Sequence, residues 1–202
     1  VDLIGKLIGR NENGSAACGF DVTERSRPAP ERNVIAARID NNGNDCEQAT
    51  GTAFQWADRN FNANFGGSPK NVKLHLTGKL YQTLPLYSQL GTLGTYVYAR
   101  DFDIPGKSAT ITAETQVTNE TAGTRTFECE VVIEDRNGKV VKTFKGDRIT
   151  VAPGETAIAA ASARVSGLEF WSWGYGYLYN VYTILNVEGR AVDVVRTRTG
   201  FR

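Results

Sequence analysis

The residues from 55 to 67 form the segment of this sequence whose types and spacing are best suited to bind a sugar. Aromatic residues are interleaved there with amides, and one Asp-Arg pair stands at positions 58 and 59. Aromatic rings pack against the apolar faces of sugar rings, while amides and carboxylates hydrogen-bond the hydroxyls. The alternative is a loop stabilised by its own asparagine side chains, with Trp56, Phe61 and Phe65 in the core.

A second aromatic cluster lies near the end of the chain and consists of Trp171, Trp173, Tyr175, Tyr177 and Tyr179. Gly174 and Gly176 give this segment conformational freedom. As an exposed platform it would bind a glycan, and as a packing element it would contribute to a core. We favour packing.

Catalysis of glycoside hydrolysis requires a pair of carboxylates, because retaining glycosidases need two carboxyl groups about 5–5.5 Å apart. Glu128 and Glu130 are two residues apart on a predicted strand, so their side chains share a face. We interpret that face as solvated. His75, the single histidine, lies in Leu-His-Leu without a nucleophile elbow. We therefore predict no catalytic residue in this chain.

The sequence gives little support for a metal site, a cofactor or a highly charged partner. The cysteines Cys18, Cys46 and Cys129 form no CxxC motif and no cluster with histidine, so we predict no metal site. A Cys18–Cys46 disulfide is compatible with the sequence but nothing in the sequence supports it, and an odd number of cysteines cannot be fully paired within the chain. No phosphate-binding loop predicts a cofactor. The net charge of +1 predicts neither a nucleic-acid nor a membrane partner.

Strands, rather than helices, must position these residues. Apolar and polar residues alternate with period two, and 21 glycines among 202 residues favour tight turns. The clearest strand is 125–134, followed by Asn137-Gly138 as a hairpin turn. Further strands are predicted at 110–117, 140–144, 148–151, 156–165, 177–187 and 191–198 in the second half, and at 33–39 and 71–76 in the first. This pattern predicts an all-β chain with a two-sheet sandwich in its second half.

The order of several short motifs resembles glycoside hydrolase family 2, which contains β-galactosidases, β-glucuronidases and β-mannosidases. The motifs are Gly5–Gly9, Phe20–Thr23, Asn33–Asn41, Phe65-Gly66-Gly67 with Lys70–Leu74, Trp171-Ser172 with Tyr177-Leu178-Tyr179, and Thr199–Arg202. The resemblance covers nearly the whole chain. It implies that residues 1–100 are the C-terminal part of a sugar-binding jelly roll and residues 101–202 an immunoglobulin-like β-sandwich, with a boundary near 98–106.

The resemblance also implies a non-catalytic role. In this family a barrel carries the catalytic glutamates, and that barrel is expected outside this chain, together with the early jelly-roll strands. We therefore expect a scaffold of a bacterial, periplasmic or secreted retaining enzyme of β-galactosidase type, inactive by itself. By analogy Trp56, Asp58, Asn60, Asn62 and Asn64 would line the rim of a sugar subsite. Trp171 and Tyr179 would serve core or interdomain packing.

Further expectations concern the partners of this chain and its alternative functions. An incomplete jelly roll has unpaired strand edges, so we expect a second copy to cover them, or partial disorder in the first half. The catalytic barrel and a carbohydrate are the other expected partners. A free-standing carbohydrate-binding module and an adhesion-type sandwich without a sugar role are the alternative functions.

Overall fold

The computed structural model describes residues 1–11, 17–39, 67, 70–85 and 90–202. The chain divides into two compact units, which we call unit 1 (Val1–Leu74 with Tyr87–Leu90) and unit 2 (His75–Leu86 with Gly91–Arg202). All regular structure in the described ranges is β-strand, so the predicted all-β class is confirmed. None of these residues forms a helix long and apolar enough to cross a membrane.

Unit 1 contains a small antiparallel sheet of three two-residue strands in the described part of the chain. Their order is β2-β1-β3, with β1 at Asp2–Leu3, β2 at Lys6–Leu7 and β3 at Ile35–Ala36. Ile4 and Gly5 connect β1 to β2, and both have positive φ angles, of 51° and 73°. Such a turn matches the twist of a two-residue hairpin.

Unit 2 is built of longer strands in two antiparallel sheets. The first sheet has the order β11-β10-β7-β8, and the second has β6 at its centre, with β9 on one side and β4 and β5 on the other. The strand bounds are β4 Leu80–Gln82, β5 Thr95–Asp103, β6 Ser108–Asn119, β7 Arg125–Glu134, β8 Val140–Val151, β9 Thr156–Ser166, β10 Tyr179–Val187 and β11 Arg190–Thr199.

The core of unit 2 lies between these two sheets, because the inward residues of both contribute to one buried cluster. Alternation decides which residues these are, since successive side chains of a strand point to opposite faces. The central strands supply Ile111, Val117, Phe127, Cys129, Val131, Ile133, Val181 and Leu185. The inward face of β7 therefore consists of its alternating apolar residues, Phe127, Cys129, Val131 and Ile133.

A polar bridge joins the two sheets beside this core. The Gln82 amide donates to the carbonyl of Thr183 at 3.0 Å and to the Asp193 carboxylate at 3.2 Å. The Gln82 backbone N–H donates to the same carboxylate at 2.8 Å, and Thr115 donates to the Gln82 side-chain oxygen at 3.1 Å. Gln82 is thereby satisfied although it is buried, as a polar side chain in a core must be.

The β7–β8 hairpin is present where Asn137-Gly138 predicts it, but its turn differs in type. Only Gly138 has a positive φ angle, of 81°, and Asp135 accepts N–H groups from Asn137 and Lys139 at 2.8 and 2.9 Å. This is a three-residue loop closed by a glycine bulge rather than a two-residue turn. The two-residue turn with positive φ at both positions occurs instead at Glu188-Gly189.

Some sequence expectations need correction. Residues 140–144 and 148–151 form one strand, β8, with a register shift opposite Glu128 and Glu130. Residues 71–76 are not a strand, and Val72 and Leu74 are 79% and 67% exposed. The expected boundary at residue 100 falls inside β5, which pairs with β6 and belongs to unit 2.

Candidate functional site

The segment 170–178 between β9 and β10, which we call the aromatic loop, presents the most exposed aromatic ring of the described residues. Ser172 and Tyr175 form an isolated antiparallel bridge, with N–H groups donating in both directions at 3.0 Å. Gly174 permits this turn, because its φ angle is 79°. Trp173 lies at the tip and is 97% exposed.

The base of the aromatic loop is fixed by packing and hydrogen bonds. The buried Tyr179 ring stacks on Phe201 at a centroid distance of 5.2 Å. Its hydroxyl accepts the N–H of Glu169 at 2.7 Å, and burial raises the pKa of Tyr179. The N–H of Trp171 donates to the carbonyl of Phe201 at 2.8 Å. The loop is therefore anchored to the core and to the end of the chain that follows β11.

Gly200 is required for this anchoring. A Cβ atom at this position would lie 2.9 Å from the Cβ of Trp171 and 2.9 Å from the carbonyl oxygen of Tyr177. The guanidinium of Arg202 lies 5.1 Å from the centroid of the Trp171 ring, a cation–π distance. The aromatic cluster thus splits: Tyr179 packs in the core, as expected, whereas Trp173 is free to contact a partner.

A polar cleft of about 390 Å³ lies on one side of Tyr177 and Tyr179. Its carboxylates, Asp135 and Glu169, already have partners. Asp135 accepts backbone N–H groups in the β7–β8 turn, and Glu169 accepts from Lys107 Nζ at 2.7 Å. The hydrogen bond to Glu169 raises the pKa of Lys107. These two carboxylates therefore serve the fold.

A smaller groove of about 200 Å³, which we call the basic groove, is lined by Arg136, Leu178, Asn180, Arg196 and Arg198. Arg196 and Arg198 alternate on β11, and Arg198 lies opposite Asn180 of β10. The Arg136 guanidinium stands 5.4 Å from the centroid of Tyr177. Sequence reasoning missed this groove. The sequence signal that could have revealed it is the spacing of Arg196 and Arg198, which places both on one face of β11. The third arginine, Arg136, comes from a turn that is distant in the sequence.

The sugar-binding residues predicted from the sequence, Trp56, Asp58, Asn60, Asn62 and Asn64, all lie outside the described residues. His75 is exposed and lies outside any strand. In the described ranges, no group of three or more histidine, cysteine, aspartate or glutamate side chains could hold a metal ion.

Glu128 and Glu130 lie on the outer face of β7 and have structural partners. Lys145 Nζ donates to Glu128 at 2.6 Å, and the Asn186 amide donates to Glu130 at 2.9 Å. The hydrogen bond to Glu128, followed by its charge, raises the pKa of Lys145. These cross-strand contacts join β7 to both of its neighbours. The two glutamates therefore match the interpretation of a solvated, structural strand face.

The two cysteines in the described ranges are free thiols in different environments. Cys18 is exposed, whereas Cys129 is buried. Burial raises the pKa of the Cys129 thiol to about 11, so it stays protonated at neutral pH. Cys129 is therefore an inert core residue.

Comparison with known proteins identifies relatives over the whole chain. A β-glucuronidase from Formosa agariphila is 30% identical over all 202 residues, which span 20% of that relative. The solved structure of a β-glucuronidase from glycoside hydrolase family 2 superimposes with a TM-score of 0.85 at 30% identity, covering 100% of this chain and 20% of that one.

A more distant structure shares the fold. The β-glucuronidase 2 of Bacteroides uniformis matches 62% of this chain and 15% of its own at a TM-score of 0.53 and 23% identity. The chain thus spans about a fifth of the length of the relatives that it matches end to end. The sequence profile of the family described as "Glycosyl hydrolases family 2" matches residues 95–202, more than half of the chain. This chain belongs to glycosyl hydrolase family 2.

Proposed function

We propose that this chain is a non-catalytic, all-β part of a family 2 glycosidase that hydrolyses β-glucuronides. The observation that carries the proposal is the 30% identity over the entire chain to a β-glucuronidase of which it spans 20%. The rest of such an enzyme holds the catalytic residues. This chain supports that catalytic part and contributes to the edge of its substrate site.

The side chains of unit 2 support a non-catalytic role. The acid pair singled out by spacing, Glu128 and Glu130, is held by Lys145 and Asn186. A retaining glycosidase instead needs one carboxylate free to attack and a second that exchanges a proton with the leaving group. The cleft carboxylates Asp135 and Glu169 are likewise held by the fold.

The proposed substrate class differs from the sequence expectation. The motif order favoured a β-galactosidase, but the two relatives that share 30% identity over the whole chain are both described as β-glucuronidases. The β-galactosidase type gains no specific support from them. We therefore assign the glucuronide to the whole enzyme.

Domain identities and partners follow from the same proposal. Unit 1 is the later part of a jelly roll, and unit 2 is the immunoglobulin-like sandwich. Residues 56–64 would reach the rim of the sugar site, and the partners are the catalytic barrel and a second copy of the chain. Family membership argues against the adhesion-type alternative, because that alternative requires the motif order to be coincidental.

Hydrolysis of chromogenic glycosides tests the proposal. The 202-residue chain and a family-length protein containing it would each be assayed with 4-nitrophenyl β-D-glucuronide and 4-nitrophenyl β-D-galactoside. We expect the longer protein to hydrolyse the glucuronide, and the chain alone to hydrolyse neither. Turnover that follows the purified chain would refute the non-catalytic role. Turnover of galactoside alone by the longer protein would refute the glucuronide assignment.

A carbohydrate-binding role of the chain itself is the second candidate, and the exposed Trp173 ring favours it. Titration of the chain with neutral glycosides tests this role. Binding that is abolished by Trp173→Ala or Trp56→Ala would support it, and Trp171→Phe serves as a conservative control at the anchored base of the loop. Absence of binding at millimolar sugar would leave the scaffold role alone.

A further inference from the structure

We propose that the basic groove of unit 2 binds the carboxylate or sulfate group of an acidic oligosaccharide. The groove is formed where β10, β11 and the turn after β7 meet, and three guanidinium groups line it. Planar guanidinium groups bind the oxygens of carboxylate and sulfate in a bidentate manner, with two parallel N–H donors.

Strand geometry places the arginines together. Residues two apart on a strand share a face, so Arg196 and Arg198 of β11 point to the same side of the sheet, about 7 Å apart along the strand. Asn180 lies directly opposite Arg198 on β10 and adds an amide donor. Arg136 enters from the turn that follows β7 and is positioned by the face of the Tyr177 ring.

The described residues do not neutralise the charge of the groove. Among the residues that the structure describes, no carboxylate forms an ion pair with Arg136, Arg196 or Arg198. Glu134 of β7 pairs with Asn180 of β10, which in turn pairs with Arg198 of β11, so Glu134 is two strands away from Arg198. Asp135, beside it, accepts N–H groups of its own turn. Three like charges in one groove repel one another, and a bound anion relieves that repulsion.

The size of the groove favours one charged substituent rather than a whole ligand. Pockets that enclose a complete small molecule measure about 300–1,000 Å³, whereas the basic groove measures about 200 Å³. The remainder of the ligand must therefore extend along the neighbouring surface, as an oligosaccharide does.

Aromatic rings continue the surface beyond the groove. Tyr177, under Arg136, lies 6.0 Å from Tyr175 between ring centroids, and Tyr175 is followed by the tip of the aromatic loop. A neutral sugar ring can stack on these tyrosine rings, while the neighbouring acidic sugar of the same ligand binds the arginines of the basic groove. The choice of an oligosaccharide rests on the proposed function, because glucuronides carry a carboxylate.

Calorimetric titration of the 202-residue chain tests the proposal. Tetragalacturonate carries carboxylates only, a sulfated dextran oligosaccharide carries sulfates only, and cellotetraose is a neutral control. We expect at least one acidic ligand to bind, with an affinity that falls as salt increases, and cellotetraose not to bind. The acidic ligand that binds identifies the charged group.

Arginine variants localise the binding. Arg196→Gln with Arg198→Gln should lower the affinity at least about tenfold, since each charge-assisted hydrogen bond is strong. Arg190→Gln is the matched control, because Arg190 is exposed on the same strand, at its opposite end. Arg198→Lys keeps the charge but loses the planar fork, so it should give an intermediate affinity. Near-ultraviolet circular dichroism checks that each variant is folded.

Three results would overturn the inference: no binding of either acidic ligand, an equal loss for Arg190→Gln, or equally tight binding of an oligothymidylate of the same charge. The last result would assign the groove to polyanions in general. The inference and the proposed function fail separately. A longer protein that hydrolyses glucuronides while its chain binds no acidic ligand refutes only the groove. Acid binding without glucuronidase activity refutes only the enzyme assignment.

Discussion

Unit 1 and unit 2 both contain alternating apolar residues, but they differ in how far these side chains are buried. In unit 2 the alternating residues of β7 and β10 are buried in one core between two sheets. In the described part of unit 1, Leu3 is the one buried apolar side chain, while Val34, Ile35 and Leu74 are more than half exposed. Unit 2 thus completes its own core, whereas the described residues of unit 1 bury little apolar surface.

The difference shows that alternation predicts burial only where partner strands complete the sheets. Val72 and Leu74 have the same spacing as Phe127 and Cys129. β7 pairs with β8 on one side and β10 on the other, whereas residues 71–76 form no strand. A strand needs neighbours for its backbone groups and an opposing sheet for its apolar face.

A matched pair of leucine substitutions should reveal the largest difference between the units. Leu185 is fully buried in β10, and Leu74 is 67% exposed. Leu185→Ala should lower the free energy of unfolding by about 2–5 kcal/mol, because it leaves a cavity. Leu74→Ala should lower it by no more than about 0.5 kcal/mol, as exposed substitutions do. Urea unfolding followed by circular dichroism measures both.

Equal costs for the two leucines would contradict this contrast. They would mean that Leu74 packs against apolar surface as completely as Leu185 does. The two variants contain the same chemical change, so differences in side-chain transfer free energy cannot explain an unequal result.

The polar bridge of Gln82 should show a smaller effect within unit 2. Gln82→Ala removes the amide that joins the Asp193 carboxylate to the carbonyl of Thr183. Leaving these groups without that donor should cost about 1–3 kcal/mol of unfolding free energy. Thermal unfolding by calorimetry measures the cost. Thr112→Ala, which removes an exposed hydroxyl contact with Ser162, is the control and should be nearly neutral. A neutral Gln82→Ala would show that the sheets need no polar link.

The smallest expected effect is the pH dependence of stability that the buried Cys129 thiol gives to unit 2. Burial raises the pKa of Cys129 from 9.0 to about 11. Above pH 9 the unfolded thiol releases its proton while the folded thiol retains it, so stability falls as pH rises towards 11. Between pH 8 and pH 10 the loss should be about 1 kcal/mol. Unfolding midpoints of the wild type and Cys129→Ala, measured at both pH values, give this contribution as the difference between their slopes.

Parallel slopes for the two proteins would show that the Cys129 thiol is accessible to water when the protein is folded. Alkylation mapped by mass spectrometry gives an independent readout. Cys18, which is exposed, should react in the folded protein, and Cys129 only after unfolding.

Local patterns predicted much of unit 2. The sequence predicted both ends of β7, β9 and β11 to within one residue, from alternation in β7 and from residue types and flanking turns in β9 and β11. The strand β5 was not predicted, because the sequence interpretation placed a domain boundary near 98–106. Pro105-Gly106 lies in this range, in the turn between β5 and β6, where Lys107 N–H donates to the carbonyl of Ile104 at 3.2 Å. The same two residues suit a linker and a hairpin, so local chemistry does not distinguish them.

The candidate site was less predictable than the strands. The aromatic cluster was visible as a cluster, but only the structure distinguished the buried Tyr179 from the exposed Trp173. Both residues belong to the same run of aromatic side chains at every second position, and their chemistry is similar. What separates them is the contact of Tyr179 with Phe201, which depends on the pairing of β10 with β11.

The amino-acid sequence alone determined the all-β class, the inward faces of the central strands and the family, because these depend on short-range alternation and on the order of motifs. Tertiary structure alone decided which arginines share a groove and which apolar residues stay exposed. The physical reason is that alternation assigns a residue to a face of its own strand. Strand register then decides which distant residues, such as Arg136 and Arg196, meet on that face.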